Sequence, residues 1–348
     1  MRDPRGIAFA GACLLGVSLA ACSSSSTAPT PSRGPAIATE APIPSGVAGS
    51  AATLQNDFVA VVNRVRPSVV LIETDQGLGS GVVFDGSGDV VTNDHVVADA
   101  TTLQVTGYDG KQHSATVVGA FAQDDLAVVR VSGLNLPAIT FADSSKLEVG
   151  DIAIAVGNPL GLQSSVTEGI VSGTGRTVSE QNGVALPDVV QTSAAINPGN
   201  SGGALVDLQG SLIGIPTLAA VDQQLGGGAA PGIGFAIPSD TVKDIASQLV
   251  QFGKVVDTHR AYLGIQAVTS FSGNVVVTSV DAGGPAATAG IAPGDEIDSV
   301  NGQQVQTLDD LNTTLASLQP GQRIPISITH SDGSTANVTV TLGELPAG

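Results

Sequence analysis

Gly199-Asn200-Ser201-Gly202-Gly203-Ala204-Leu205-Val206-Asp207-Leu208-Gln209-Gly210-Ser211-Leu212-Ile213-Gly214 is the stretch that decides the fold. A serine set among glycines runs straight into a short apolar segment. An Asp/Gln/Gly turn follows, and then a second apolar segment, so the order is turn, strand, turn, strand. The same rhythm extends outward in both directions. Short Val- and Ile-rich runs occupy residues 68–74, 81–84, 90–92, 102–106, 114–119, 126–131, 151–156, 166–172, 187–192, 203–207, 211–215 and 233–237, and Gly, Asn, Asp or Pro separates most neighbours. Many short strands without intervening helices predict a mainly β architecture of the sandwich or barrel type.

Ser201 between glycines needs a base to attack at neutral pH, and the base needs a group to orient it. Of the four histidines, His113 sits in a polar turn, His259 in a linker-like stretch and His330 beside a Ser-Asp-Gly turn. His95 follows Thr92-Asn93-Asp94 at the end of a strand and precedes a short helix start, which makes it the candidate base. Asp125 opens the apolar run Leu126-Ala127-Val128-Val129 and is the candidate orienting carboxylate. If the run is a strand, Asp124 faces the other way. The glycines let the backbone turn the amides of Gly199 and Ser201 toward one point, the geometry of an oxyanion hole. A glycine-flanked serine also occurs in the elbow of α/β hydrolases, but that motif needs a helix after the serine and its histidine last in the chain. Neither condition is met here.

The 348-residue chain is 42% hydrophobic and 13% charged, which supports a folded core, and its 44 glycines suit many tight turns. A net charge of -18 without a basic cluster argues against nucleic-acid binding. No metal cluster, phosphate loop or cofactor fingerprint is evident. Arg2 and Arg5 precede an apolar run from Ile7 to Ala21, the layout of a secretory leader. Leu19-Ala20-Ala21-Cys22 resembles a bacterial lipobox, which implies a leader over residues 1–21, lipidation of Cys22 and anchoring to a membrane on the extracytoplasmic face of the cell envelope. The other cysteine, Cys13, lies within the leader, so no disulfide is expected in the body. Residues 22–52 are rich in Ser, Ala, Thr and Pro and are expected to form a flexible tether.

Leu54, Phe58, Val61, Val62 and Val65 recur at helical spacing until Pro67 ends the run. A second helix, with Ser239 as its N-cap and Gly253 at its close, ends a first domain assigned to 53–253. Residues 254–260 read as a linker. A second domain, 261–345, has strands at 262–268 and 274–280, a short helix at 285–289, a helix at 308–318 with leucines along one side, and closing strands at 324–329 and 336–342.

Gly79-Ser80-Gly81-Val82-Val83, Thr92-Asn93-Asp94-His95-Val96, Asp125-Leu126-Ala127-Val128, Gly157-Asn158-Pro159-Leu160-Gly161, the run from Ala195 to Leu205, and Gly232-Ile233-Gly234-Phe235-Ala236-Ile237-Pro238 together resemble the HtrA family of trypsin-like serine proteases. The resemblance implies a trypsin-like double β-barrel followed by an α+β PDZ domain. It implies an ATP-independent endopeptidase of the cell envelope acting on misfolded or regulatory exported proteins, with His95, Asp125 and Ser201 as catalytic triad and no cofactor. It places Ala195, with Ile196 and Ile215, at an uncharged specificity pocket that favours small aliphatic side chains. Asn200 stands where digestive relatives of the fold carry the acid that pairs with a freed N-terminus, so activation would involve loop ordering, with 159–166 and 222–232 as candidates. Ser193 departs from the family's usual Asp. The short turn at 75–78 favours a homotrimer over a larger cage. Tyr262-Leu263-Gly264-Ile265 resembles the carboxylate-binding loop of a PDZ domain, so a peptide C-terminus would add as a strand beside 265–268. The alternative is a catalytically silent binding or chaperone protein that uses the PDZ groove alone.

Overall fold

The computed structural model describes residues 45–158, 165–179, 184–197, 199–222, 228–270 and 273–347. The expected leader, Cys13, Cys22 and most of the tether lie outside the described residues, as do 159–164 and 223–227 of the two candidate activation loops. The packing below belongs to Gly49–Gly348.

Helix α1 (Ser45–Val65) starts inside the stretch expected to be a tether. Alanine is the strongest helix former, and Ala48, Ala51 and Ala52 continue a helix whose far end is anchored by buried Val61 and Val65. Pro67 cannot extend an α-helix, and the chain tightens into a 3-10 turn at Arg66–Ser68. Six strands then form a closed barrel: β1 (Val69–Thr74), β2 (Leu78–Val83), β3 (Asp89–Thr92), β4 (Leu103–Thr106), β5 (Gln112–Phe121) and β6 (Leu126–Val131), in the order β1-β2-β3-β6-β5-β4. The short helix α2 (Asp94–Val97) leaves the end of β3.

A second closed barrel follows, made of β7 (Ile152–Gly157), β8 (Ser165–Ser179), β9 (Ala185–Thr192), β10 (Ala204–Val206), β11 (Leu212–Asp222) and β12 (Gly228–Pro238), in the order β10-β11-β12-β9-β8-β7. β11 and β12 run further than the apolar pattern predicted. Backbone at 218–222 and 228–232, the latter within the segment 222–232 read as glycine-rich and mobile, pairs across the ladder with Leu218 opposite Phe235 and Val221 opposite Ala229. The register shifts beside Pro216, which has no N–H to give a regular ladder.

The continuous apolar runs have a geometric cause. In β6, Leu126 and Val128 join a core packed between the two barrels, whereas Ala127, Val129 and Val131 fill the first barrel's own interior. In β7, Ile154 and Val156 face the shared core, and Ala153 and Ala155 the second interior. A strand buried on both faces loses its polar alternation. Each fully buried Leu, Ile or Val contributes about 1.5–3 kcal/mol.

Helix α3 (Ser239–Phe252) lays Val242, Ile245 and Leu249 on the shared core and ends at Gly253, whose φ of 72° suits a residue without a Cβ. Ser239 does not cap it. The N-cap is Pro238, and Ser239 is fully buried with its hydroxyl donating to the Ala142 carbonyl 2.9 Å away.

The segment read as a linker is firmly held. Val255 is in the shared core. The Gln248 side chain accepts from the amides of Val256 and Asp257, both at 2.9 Å. Beyond it come β13 (Ala261–Tyr262), β14 (Ile265–Thr269), β15 (Val275–Val280), α4 (Pro285–Ala289), β16 (Glu296–Val300), β17 (Gln303–Gln304), α5 (Leu308–Ala316), β18 (Arg323–Thr329), β19 (Thr335–Thr341) and β20 (Gly343–Glu344). The main sheet runs β14-β15-β16-β18-β19 over a separate core that includes Leu263, Ile297, Leu311 and Ile326. Thr307 and Asp310 form a reciprocal capping box that fixes the start of α5. Among the described residues, no helix is long and apolar enough to cross a membrane.

Candidate active site

His95 is delivered by α2. Its ring Nδ1 lies 2.9 Å from both carboxylate oxygens of Asp125, and its backbone N–H donates to Asp125 Oδ1 at 3.0 Å. The imidazole side chain is 45% exposed and the carboxylate only 3%, so one face of the ring stays open while the other is anchored in a dry place. Asp125 is not in a strand. It closes a 3-10 turn (Ala122–Asp124) in the left-handed region, φ 48°, and this backbone turn, rather than strand alternation, separates it from Asp124. The Asn93 side-chain amide donates to the Asp125 carbonyl at 2.9 Å and locks that conformation. Asp94, next to His95, is held above the ordinary carboxylate range by burial, with the nearby Asp125 charge adding to it.

Asp124 turns to the other side and meets Arg260 of the former linker at 2.5 Å. Burial pushes its carboxyl upward, and Arg260 opposes that shift.

Thr217, on β11, joins the pair to the serine. Its hydroxyl donates to Asp125 Oδ2 at 2.5 Å, and its carbonyl accepts from the Ser201 hydroxyl at a long 3.4 Å. A hydroxyl held so weakly can turn away at little cost. Ser201 sits in a turn with Gly199 at φ 100° and Gly202 at φ 77°. A Cβ on Gly202 would lie 2.2 Å from the Ser80 carbonyl oxygen, so only glycine fits there. The Asn200, Gly202 and Gly203 amides donate to the carbonyls of Asn197, Pro216 and Asn200. No described residue accepts from the amides of Gly199 or Ser201.

The residues expected at the specificity pocket part company. Ala195 is exposed, and its carbonyl accepts from Thr167 and Asn200 side chains. Ile196 packs in the second barrel, and a Cβ on Gly234 would come within 2.4 Å of it. Ile215 is corrected: at 0% exposure it belongs to the core between the barrels and cannot line an open pocket. Asn200, buried, spends its amide on Ala195 rather than in an ion pair. The Ser193 hydroxyl accepts from the Ile170 amide at 3.0 Å.

Tyr262, Leu263, Gly264 and Ile265 line a groove of about 480 Å³ with Leu308, Leu311 and Leu315 of α5, and Gln123 and Ala185 of the barrels also border it. Gly264 has φ 75°, Leu263 is buried, and the Tyr262 hydroxyl donates to Asp281. β14 is an edge strand, so its outer side faces this groove with backbone groups to offer.

The other histidines take other partners. His113 meets the Ser132 carbonyl, and His330 pairs with buried Asp295 at 2.9 Å. A His–Asp pair is therefore not distinctive by itself. What sets His95 apart is Thr217, which carries its aspartate to a serine. Among the described residues, Asp257, His259 and Glu344 stand close enough to share a cation, but all are exposed, and Glu344 already accepts from the amides of Thr258 and His259. Neither Thr217 nor the Ser80 side chain carries a role in the sequence reading. For Ser80 the available signal was its place within Gly79-Ser80-Gly81.

Comparison with known proteins agrees with this geometry. A trypsin-like peptidase domain model matches residues 79–215 and a PDZ domain model residues 261–342. A probable periplasmic serine endoprotease, DegP-like, of Chlamydia trachomatis is 39% identical over 285 residues, 79% of this chain and 55% of its own length. The serine protease Do-like HtrA of Lactococcus lactis is 41% identical over 291 residues, 76% of this chain and 70% of its own. The chain thus spans little more than half the length of the chlamydial relative. A solved structure of the HtrA-type protease AlgW with a tripeptide covers 83% of this chain and 97% of its own, with a TM-score of 0.59 and 36% identity. Two closed barrels, a PDZ domain behind them and relatives of this closeness lead to one conclusion: the chain belongs to the HtrA family of trypsin-like serine proteases.

Proposed function

We propose that the protein is an ATP-independent serine endopeptidase of the cell envelope that cleaves unfolded or C-terminally exposed proteins. The observation that carries this reading is the unbroken link from His95 through Asp125 and Thr217 to Ser201. Ser201 Oγ attacks the scissile carbonyl. His95 takes its proton and later returns it to the leaving amine, and Asp125 holds the ring in the tautomer with its proton on Nδ1, so that Nε2 is the accepting nitrogen. The amides of Gly199 and Ser201 receive the developing oxyanion. Water then attacks the acyl-enzyme, with His95 again as base. Ala195 and Ile196 offer no charge, which favours Val, Ala or another small aliphatic residue before the cleaved bond. Cleavage after Lys outpacing cleavage after Val in a peptide library would overturn that preference.

The groove beside β14 takes a peptide C-terminus by strand addition, with the Tyr262–Ile265 loop receiving the carboxylate. Export by the leader and lipidation of Cys22 place the body at a membrane surface, and the short turn at 75–78 is compatible with a homotrimer. The domain division at 53–253 and 261–345 accompanies this reading. Casein digestion tests it: the purified body digests casein and Ser201→Ala does not. Equal digestion by both would refute the enzyme reading and leave the PDZ groove as the working part. Incorporation of labelled palmitate that Cys22→Ala abolishes tests the anchor, and sedimentation equilibrium tests the trimer.

A further inference from the structure

Ser80 lies on β2, in the first barrel, yet it grips the turn that carries Ser201 in the second. It is fully buried. Its backbone N–H donates to the Ser201 carbonyl at 2.9 Å. Its hydroxyl donates to the Gly199 carbonyl at 2.6 Å and accepts from the Asn158 amide at 2.8 Å. Thr92 secures it from behind by donating to its carbonyl at 2.7 Å.

The arrangement of peptide planes gives these contacts a consequence. The Gly199 N–H belongs to the plane before Gly199, and the Ser201 N–H to the plane between Asn200 and Ser201. The plane between Gly199 and Asn200 links the two. Ser80 holds that linking plane by its carbonyl, and the Asn197 carbonyl holds it by its N–H at 3.0 Å. The plane after Ser201 is held on one side by Ser80 and on the other by the Pro216 carbonyl at 3.1 Å. Gly199 sits at φ 100°, where a glycine without side-chain restraint turns freely. The Ser80 hydroxyl is the side-chain contact that removes this freedom.

We propose that Ser80 is a positioning residue of the catalytic machinery, whose hydroxyl fixes the linking peptide so that the amides of Gly199 and Ser201 converge on the oxyanion. The proposal rests on the protease reading above. Ser80 touches neither substrate nor reacting atoms. Its effect falls on the tetrahedral state and not on substrate binding, so it acts on kcat rather than KM. Loss of a full oxyanion donor reduces kcat by roughly 100- to 1000-fold, and a loosened pair of donors loses part of that, about 10- to 100-fold.

The test compares Ser80→Ala, Ser80→Cys and Ser239→Ala with the parent full chain. Ser239 is an equally buried serine whose hydroxyl also donates to a main-chain carbonyl, far along the chain at the start of α3. Kinetics on a Val-containing peptide are measured together with inhibition by a peptidyl boronic acid, which forms a tetrahedral adduct on Ser201. Ser80→Ala is expected to lower kcat by about 10- to 100-fold with KM within twofold, and to weaken boronate inhibition by a similar factor. Ser80→Cys, with a weaker donor of similar shape, falls between, and Ser239→Ala keeps the parent's kcat. If Ser80→Ala does not fold, the Cys variant decides alone. Parental kcat and boronate affinity in a folded Ser80 variant, or an equal kcat loss in Ser239→Ala, overturns the proposal. A parent chain that cleaves nothing refutes the protease reading and this one with it, an outcome distinct from an active parent indifferent to Ser80.

Discussion

Arg260→Ala breaks the buried pair that ties the segment after α3 to the turn leading into Asp125. The guanidinium, 13% exposed, gives one nitrogen to Asp124 Oδ1 at 2.5 Å and to the Gln123 carbonyl at 2.8 Å, and the other to the Ala185 carbonyl at 2.6 Å. Asp124, 8% exposed, would be left as an uncompensated charge. Removing one partner of such a pair costs about 3–5 kcal/mol. At the lower end of the usual shift per kcal/mol for long chains, that is roughly 6–10 °C in Tm at pH 8. The loss depends on pH in a definite direction. Burial already raises the Asp124 carboxyl in the folded protein against the opposing pull of Arg260. Without Arg260 the folded-state value rises further. A carboxyl raised on folding binds its proton more readily when folded, so its penalty is full above that value and fades as pH falls through it. Calorimetric scans at pH 8 and pH 5 should show the deficit of Arg260→Ala shrinking on acidification. The double variant Asp124→Asn/Arg260→Ala should recover at least half of the pH 8 loss. A deficit independent of pH, together with a double variant no better than the single, would refute the reasoning.

Three further outcomes follow from the contacts. Thr217→Val removes the donor to Asp125 while keeping the carbonyl that faces Ser201, so kcat should drop by at least about tenfold with little change in KM; an unchanged kcat in steady-state assays would show that Thr217 is only packing. Gly202→Ala forces a Cβ into the Ser80 carbonyl at a φ reserved for glycine, and should yield little folded protein on thermal scanning; a stable, active variant would contradict the described turn. Thr307→Ala opens the capping box of α5 and should lower stability by about 1 kcal/mol in urea titration and weaken C-terminal peptide binding, while a variant of parental stability would show that the cap contributes nothing.

Strand placement was legible because apolar runs interrupted by turn residues carry it directly. The shared core was not, since β6 and β7 bury both faces and their sequences show no alternation to assign. Strand alternation in the sequence separates Asp125 from Asp124, whereas in the fold a left-handed turn makes the separation. The family resemblance puts Ile215 at the pocket, but β11 turns it into the core between the barrels. Ser239 has the composition of a cap and is instead used to bind Ala142. Thr217 and Ser80 lie sixteen and more residues from Ser201, and only the pairing of strands from different parts of the chain brings the Thr217 carbonyl and the Ser80 backbone N–H to it. Arg260 is hidden in the sequence for a related reason. A lone arginine in a short connecting stretch gives no hint that three acceptors, two from a 3-10 turn and one from β9, await it.

The two barrels have one more effect, through what they withhold. A closed ring of strands presents no unsatisfied flank, whereas the sheet behind them ends openly at β14. Denatured polypeptide seeks such flanks indiscriminately. The sheet's free borders at β14 and β19 lie outside the rings, and the one at β14 opens onto the groove walled by α5, so an extended chain finds a strand to pair with there and none on the barrels.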